Sequence, residues 1–182
     1  MRRWIPAAVL VALIAPATSL GAQRPLSIGL AGGVSLPTGN LSDAATTGWH
    51  GLGTLALSSL VLPMGVRVDV AYNRFAFSDD AQTQFGGDGN VSVGSATLNL
   101  TYRLPMTNSP MSPYLISGLG AYQSKCSVGP SCEATTRYGW NVGLGAKLAV
   151  LTLRTFVEAR YHRTSRGNGG VHYFPVTFGL MF

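Results

Sequence analysis

Beyond its first sixteen residues this chain never stays apolar for the roughly 20 residues a membrane-crossing helix needs. Yet apolar and small polar residues alternate, one by one, through most of the remaining chain. Successive side chains of a strand point to opposite faces, so this alternation marks strands with one apolar and one polar face. Composition narrows the choice. Only 11% of residues are charged, against about 25% in an ordinary soluble domain. The polar faces are mostly Gly, Ser, Thr and Asn, too poor in charge to coat a water-soluble exterior. An apolar chain without a spanning helix can still live in lipid as a closed barrel, because closure pairs every backbone group. The length allows one domain.

Eight stretches carry the pattern. The first, Leu26 to Leu36, sets Leu26, Ile28, Leu30, Val34 and Leu36 against Ser27, Gly29, Ala31, Gly33 and Ser35. The second, Trp49 to Ser59, has Trp49, Leu55 and Leu57 on its apolar face. The third, Gly65 to Phe77, sets Val66, Val68, Val70 and Tyr72 against Arg67, Asp69 and Asn73. The fourth, Val91 to Leu104, sets Ala96, Leu98, Leu100 and Tyr102 against Ser95, Thr97, Asn99, Thr101 and Arg103. The fifth, Tyr114 to Ser124, is Gly-rich and shows no clear parity. The sixth, Tyr138 to Leu148, sets Tyr138, Trp140, Val142, Leu144, Ala146 and Leu148 against Asn141 and Lys147. The seventh, Leu151 to Arg163, sets Leu153, Val157, Ala159 and Tyr161 against Arg154, Glu158, Arg160 and His162. The eighth, Val171 to Phe182, presents Phe174, Val176, Phe178, Leu180 and Phe182. Most are as long as the 9–11 residues of a tilted membrane strand. The expected fold is all-β: an eight-stranded antiparallel up-and-down transmembrane β-barrel.

Aromatic residues near strand ends favour lipid over a soluble barrel. With odd strands running upward, Trp49, Tyr72, Tyr122, Trp140 and Tyr161 fall at an upper rim. Tyr102, Tyr114 and Phe182 fall at a lower one, giving the two girdles that bracket the apolar band of such barrels. Longer connections (Pro37–Thr47, Ser78–Asn90 and Lys125–Thr136) tend to sit at the upper end. Pro175 interrupts the eighth stretch without an N–H to donate, so a bulge or a missing bond is expected there.

The N-terminus reads as a cleaved signal peptide over residues 1–22, with the barrel domain over 23–182. Arg2 and Arg3 precede the apolar run Trp4–Pro16, and small residues lead to a cut after Ala22. Leu20 is large for the minus-three position, and a cut after Gly21 is the alternative. The 13 Lys and Arg fall to 11 once Arg2 and Arg3 are gone, against 7 Asp and Glu, a net charge of +4. Without clustered basic runs, that excess does not point to nucleic acid. In an exported chain, Cys126 and Cys132 read as a local disulfide closing a loop.

The ending HYFPVTFGLMF and the stretches PYLISGLGAY (Pro113–Tyr122) and RYGWNVGLGAKL (Arg137–Leu148) resemble small bacterial outer-membrane β-barrel domains of the opacity-type surface antigen kind. The resemblance spans nearly the whole mature chain. It implies a Gram-negative outer membrane and contact with its lipid. It also implies insertion by the barrel-assembly machinery, with Phe178, Leu180 and Phe182 as the assembly signal; the barrel is read as a monomer.

For chemistry, the inward parity collects Arg67, Asp69, Arg103, Lys147, Arg154, Glu158 and Arg160. Charges inside a barrel just wide enough for side chains must pair or stay hydrated. The expectation is a salt-bridged polar plug, and the alternative a narrow anion-preferring pore. His162, Ser165 and His50 suggest a lipid A-modifying enzyme. However, His162 points inward by parity while the lipid lies outside, and no acid follows Glu158. A His50–His162 metal site is disfavoured because the second and seventh strands are not neighbours. GGDG (Gly86–Gly89) and GNGG (Gly167–Gly170) lack the strand-to-helix setting of a phosphate cradle, and Asp79, Asp80 and Asp88 read as a solvated loop. The reading is a structural or surface-interaction barrel, non-enzymatic, with no metal and no cofactor, whose loops carry its function.

Overall fold

The computed structural model describes residues 26–182 except 60, 86, 107–110, 128–133, 151–152 and 166–169. The expected signal peptide (1–22), Cys132 and most of the GNGG segment lie outside the described residues.

Eight antiparallel strands follow one another around a closed barrel. They are β1 (Leu26–Thr38), β2 (Gly48–Ser58), β3 (Met64–Ala76), β4 (Asn90–Arg103), β5 (Met111–Cys126), β6 (Thr135–Val150), β7 (Leu153–Thr164) and β8 (His172–Met181). Each strand pairs with the next, and β1 pairs with β8. At the seam the last residue completes the ladder: Phe182 N donates to Ile28 O at 2.7 Å, and Ile28 N donates to Phe182 O at 3.1 Å. No helix among the described residues is long and apolar enough to cross a membrane.

The wall is apolar outside and polar inside. Leu119 is 70% exposed, Leu30 65% and Leu144 64%, while Ser35, Asn73, Asn99 and Asn141 are buried on the opposite parity. A wall of exposed leucine and valine this extensive has no place in water; it is a lipid-facing surface. The strands run from 10 to 16 residues, enough to cross the bilayer at a tilt.

The connections β1–β2, β3–β4, β5–β6 and β7–β8 share one end of the barrel, called here the loop end; β2–β3, β4–β5 and β6–β7 share the turn end. Two loops expected to be irregular contain short helices, α1 (Asn40–Ala44) and α2 (Asp79–Phe85). A bridge between Ala45 and Phe77 stitches them together, and Ser78 N donates to Ala44 O. The GGDG segment follows α2 rather than opening a helix.

β5 begins at Met111, ahead of Pro113, and settles the parity that the sequence left open. Tyr114 and Tyr122 were expected in the aromatic girdle, but both point into the lumen and are 3% and 1% exposed. β5 carries apolar residues on both parities, with Ile116 inward and Leu115 and Leu119 outward. Alternation was therefore silent about its tyrosines. The remaining girdle residues Trp49, Tyr72, Trp140 and Tyr161 face outward near the loop end, joined by Tyr138. Tyr102 and Phe182 face outward at the turn end.

At Pro175 the register does not slip: pairing with β1 runs straight through Ser35↔Pro175. On the β7 side the ladder holds at Ala159↔Val176 and resumes at His162↔Tyr173 with the same offset. The proline therefore interrupts pairing without a bulge.

Large inward side chains are accommodated by glycines across from them. A Cβ on Gly145 would sit 2.5 Å from the Tyr114 ring, and one on Gly179 2.5 Å from the Phe156 ring. Such large-beside-small packing fills a narrow barrel. Gly145→Val is expected to lower stability by about 1–3 kcal/mol through overpacking, measured as a shift in the denaturant midpoint of barrel refolded into vesicles. An unchanged midpoint would mean that Tyr114 does not occupy this space.

Candidate functional site: a filled lumen

The lumen is stacked in layers. At the loop end, Leu41 and Ala45 from α1 and its end, Phe75, Val93, Tyr122, Val171 and Tyr173 form one buried apolar cluster. Phe75 and Tyr173 meet edge to face at 5.9 Å. α1 brings Leu41 over the mouth because its one large apolar side chain has nowhere else to be buried. Sequence reasoning missed this seal, since α1 is too short to show a helical period.

Beneath it lies a histidine layer. Ser35 Oγ donates to Asn73 Oδ1 at 2.8 Å and lies 3.0 Å from His50 Nδ1. His50 Nε2 is 2.9 Å from Thr177 Oγ1. His162 Nδ1 is 3.0 Å from the Tyr122 hydroxyl, and its ring stacks on Tyr173 at 4.8 Å. His50 and His162 thus line one small polar chamber, together with Asp69 and Arg160. It has room for about one water. Ser165 is exposed, at the loop end beyond β7, and its N–H donates to Tyr138 O. Among the described residues no group of three or more His, Cys, Asp or Glu is placed to hold a metal ion.

The middle of the lumen holds a charge quartet. Arg67 and Asp69 stand on β3, Glu158 and Arg160 on β7, which faces β3 across the barrel. Arg67 Nη2 is 2.8 Å from Glu158 Oε1, and Arg160 Nη2 is 2.7 Å from Asp69 Oδ2. Along the strands, Arg67 Nε is 3.0 Å from Asp69 Oδ1, and Arg160 Nε contacts Glu158. Each acid meets both arginines, so the group is neutral. Further donors reach the carboxylates: the Tyr114 hydroxyl donates to Glu158 Oε2 at 2.6 Å, and Asn99 Nδ2 donates to Asp69 Oδ2 at 3.0 Å, while Asp69 Oδ1 has only the ion-pair contact of Arg67 Nε. Asn141 Nδ2 donates in turn to Asn99 Oδ1 at 2.8 Å. The Phe156 ring lies 5.6 Å from the Arg67 guanidinium carbon.

Of the seven charges expected inside, the structure buries these four. The expectation of a buried position is corrected for the other three. Arg103, Lys147 and Arg154 have luminal parity but are exposed at the turn-end mouth, where the lumen opens to water; Lys147 Nζ lies 5.9 Å from the Tyr114 ring centre. Parity fixes the side of the wall a residue takes, not its depth along the strand. Cys126 ends β5.

A barrel with an apolar exterior, eight up-and-down strands and a packed polar lumen can be compared with known proteins. The sequence matches the family described as outer membrane protein beta-barrel domain over residues 5–182. The chain belongs to the outer-membrane β-barrel family. Among solved structures of the fold, Neisserial surface protein A is 17% identical, with a TM-score of 0.63 over 87% of this chain and 96% of that one. A major outer membrane protein of Thermus thermophilus is 12% identical, with a TM-score of 0.57 over 87% and 99%. Ail, the attachment invasion locus protein of Yersinia pestis, is 18% identical, with a TM-score of 0.55 over 86% and 97%. No curated protein sequence matches it. At these identities the likeness is one of fold. In barrels of this family the long connections are extracellular and the short turns periplasmic.

Removing one partner of a buried ion pair strands the others in low dielectric. Glu158→Leu, which abandons Arg67, Arg160 and Tyr114, is expected to cost about 3–5 kcal/mol. In a double-mutant cycle with Arg67→Met, the two losses should be clearly less than additive. Additive losses would show that the two side chains do not interact.

Proposed function

We propose that this protein is a structural or surface-interaction barrel of the outer membrane, non-enzymatic, with its working surface in the extracellular loops. The observation that carries this reading is the layered lumen. The apolar cluster around Leu41 and Tyr173 covers the loop end, and the quartet of Arg67, Asp69, Glu158 and Arg160 spans the middle. An ion would have to displace both layers, and the quartet's charges already neutralise each other. The salt-bridged plug is therefore favoured over the anion-preferring pore, although Arg103, Lys147 and Arg154 make the turn-end mouth basic.

The lipid A-modifying alternative loses its support in the geometry. His162 faces the lumen and engages Tyr122 and Tyr173, whereas the acyl chains of a lipid lie beyond the outer wall. The loop end, by contrast, is built up: α1 and α2 are tied to each other and to the strands, giving a shaped surface that a partner can meet.

The same reading includes export through a signal peptide removed after Ala22 and a Cys126–Cys132 disulfide in the β5–β6 loop. It includes insertion by the barrel-assembly machinery through Phe178, Leu180 and Phe182, which face the lipid side, and a monomer surrounded by outer-membrane lipid.

The test is single-channel recording of refolded protein in a planar bilayer, with folding confirmed by a heat-modifiable gel band. The expected result is silence. Steady anion-preferring conductance from folded protein would overturn the plug and favour the pore. Replacing the loop segments 39–47 and 77–89 with short turns should leave the heat-modifiable band intact while abolishing the barrel's adhesion to surface ligands. Adhesion unaffected by that replacement would remove the loops from the function.

A further inference from the structure

Among the described residues, the outer wall carries Lys and Arg side chains at one end alone. Arg74 on β3, Lys125 on β5 and Arg163 on β7 have outward parity, and all three lie at the loop end. Among the described residues no Asp or Glu occupies an outward strand position: Asp69 and Glu158 are luminal, and Asp43, Asp79, Asp80 and Asp88 lie between strands. At the turn end, the cations Arg103, Lys147 and Arg154 have luminal parity. The lipid-facing surface is thus uncharged toward one leaflet and purely cationic toward the other.

Two of these cations sit in matching constructions on opposite sides of the barrel. On β2 and β3, Trp49 stands directly across from Arg74, and Tyr72, two residues below, packs on Trp49 at 6.0 Å. On β6 and β7, Trp140 stands directly across from Arg163, and Tyr161, two residues below, packs on Trp140 at 5.8 Å. Residues directly opposite on antiparallel strands share a face. Each unit is therefore a Trp–Tyr platform at the interface with an arginine beside the Trp and one step above the Tyr on the same face. Neither Arg74 nor Arg163 has an ion-pair partner among the described residues.

We propose that these two units are headgroup sites for a phosphorylated lipid of the outer leaflet, each guanidinium engaging a phosphate while the Trp–Tyr platform supports the lipid's upper chain and sugar region. Charge complementarity selects the occupant. A guanidinium presents a donor fork that matches phosphate geometry, a zwitterionic headgroup would also bring its own cation against the arginine, and the aromatic pair fixes the depth at the interface, where phosphates lie. The proposal rests on the membrane orientation given above, with the loop end outward.

The experiment is native mass spectrometry of full-length protein refolded in detergent with a phosphorylated glycolipid, against the same glycolipid with its phosphates removed. Arg74→Gln, Arg163→Gln and the double variant are compared, each checked for a heat-modifiable band. The expected result is retention of up to two phosphorylated lipids in the unaltered protein and one in each single variant, affinity at the altered site falling roughly tenfold, about the worth of one charge-assisted hydrogen bond, and little retention in the double variant. The dephosphorylated lipid should be lost from all forms. Equal retention of both lipids, or retention unchanged in the double variant, overturns the proposal. Inorganic phosphate alone should not bind; if it binds and does so through the same arginines, the sites take free anion and the assignment to lipid fails. A silent bilayer recording alongside failed lipid retention would leave the plugged-barrel reading standing and remove these sites alone.

Discussion

Backbone hydrogen bonding without water is the constraint on which everything else here depends. In hydrocarbon an unpaired N–H or C=O costs several kcal/mol, so the sheet must close on itself, and the seam is where closure is tested. There β1 and β8 pair from Gly29↔Met181 to Thr38↔His172, and Ile28 and Phe182 exchange two hydrogen bonds beyond the last paired residues. Pro175 is tolerable under this constraint because its missing N–H falls on the β7 side and leaves the β1 ladder intact. The lapse falls on the β7 side, opposite Arg160 and Tyr161, within the protein wall and beside a polar interior.

Closure around eight strands then dictates the lumen. The space is wide enough for side chains and too narrow for much else, so what fills it must be matched in volume and in polarity. Volume is matched by opposing rings with glycines, as Tyr114 with Gly145 and Phe156 with Gly179. Polarity is matched by neutralising the quartet within itself and giving its carboxylates extra donors from Tyr114 and Asn99. The quartet joins β3 to β7, strands that share no ladder, and so ties opposite walls that backbone pairing alone leaves independent.

Much of the wall was legible in the sequence, because one face had to satisfy lipid and the other had to avoid it. The outward sets of β1, β3, β4, β6 and β8 follow from alternation alone. β5 did not, because Tyr114 and Ile116 inside and Leu115 and Leu119 outside are all apolar, and a pattern needs contrast. The inward cations were read on the correct side but without depth, since Arg103 and Arg154 differ from Arg67 and Arg160 only in how far along the strand they lie. The short spacings Arg67-x-Asp69 and Glu158-x-Arg160 were visible, but their meeting across the lumen depends on β3 and β7 being diametrically placed, which is a property of closure. The apolar seal was hidden because Leu41 and Phe75 acquire a common environment only when α1 folds over the mouth.

A lumen of charge and amide is a costly way to fill a barrel, since desolvating four ions offsets most of their attraction, and well-packed apolar side chains often do as well or better. Register supplies the reason for it. A strand that slips by one residue exchanges its two faces. With an apolar lumen, a slipped β3 would still set apolar residues against lipid, and little would oppose the error. With Arg67, Asp69 and Asn73 inside, the same slip drives two charges and an amide into hydrocarbon while Val66, Val68 and Val70 displace the partners of Glu158 and Arg160. β7 is guarded in the same way by Glu158, Arg160 and His162. The strand that lacks such contrast, β5, sits beside β4 and β6, whose Asn99 and Asn141 join each other across its face of the lumen, so its register is held by its neighbours. The polar interior therefore does for this barrel what a hydrophobic core does for a soluble domain: it makes one arrangement of the sheet far better than the next.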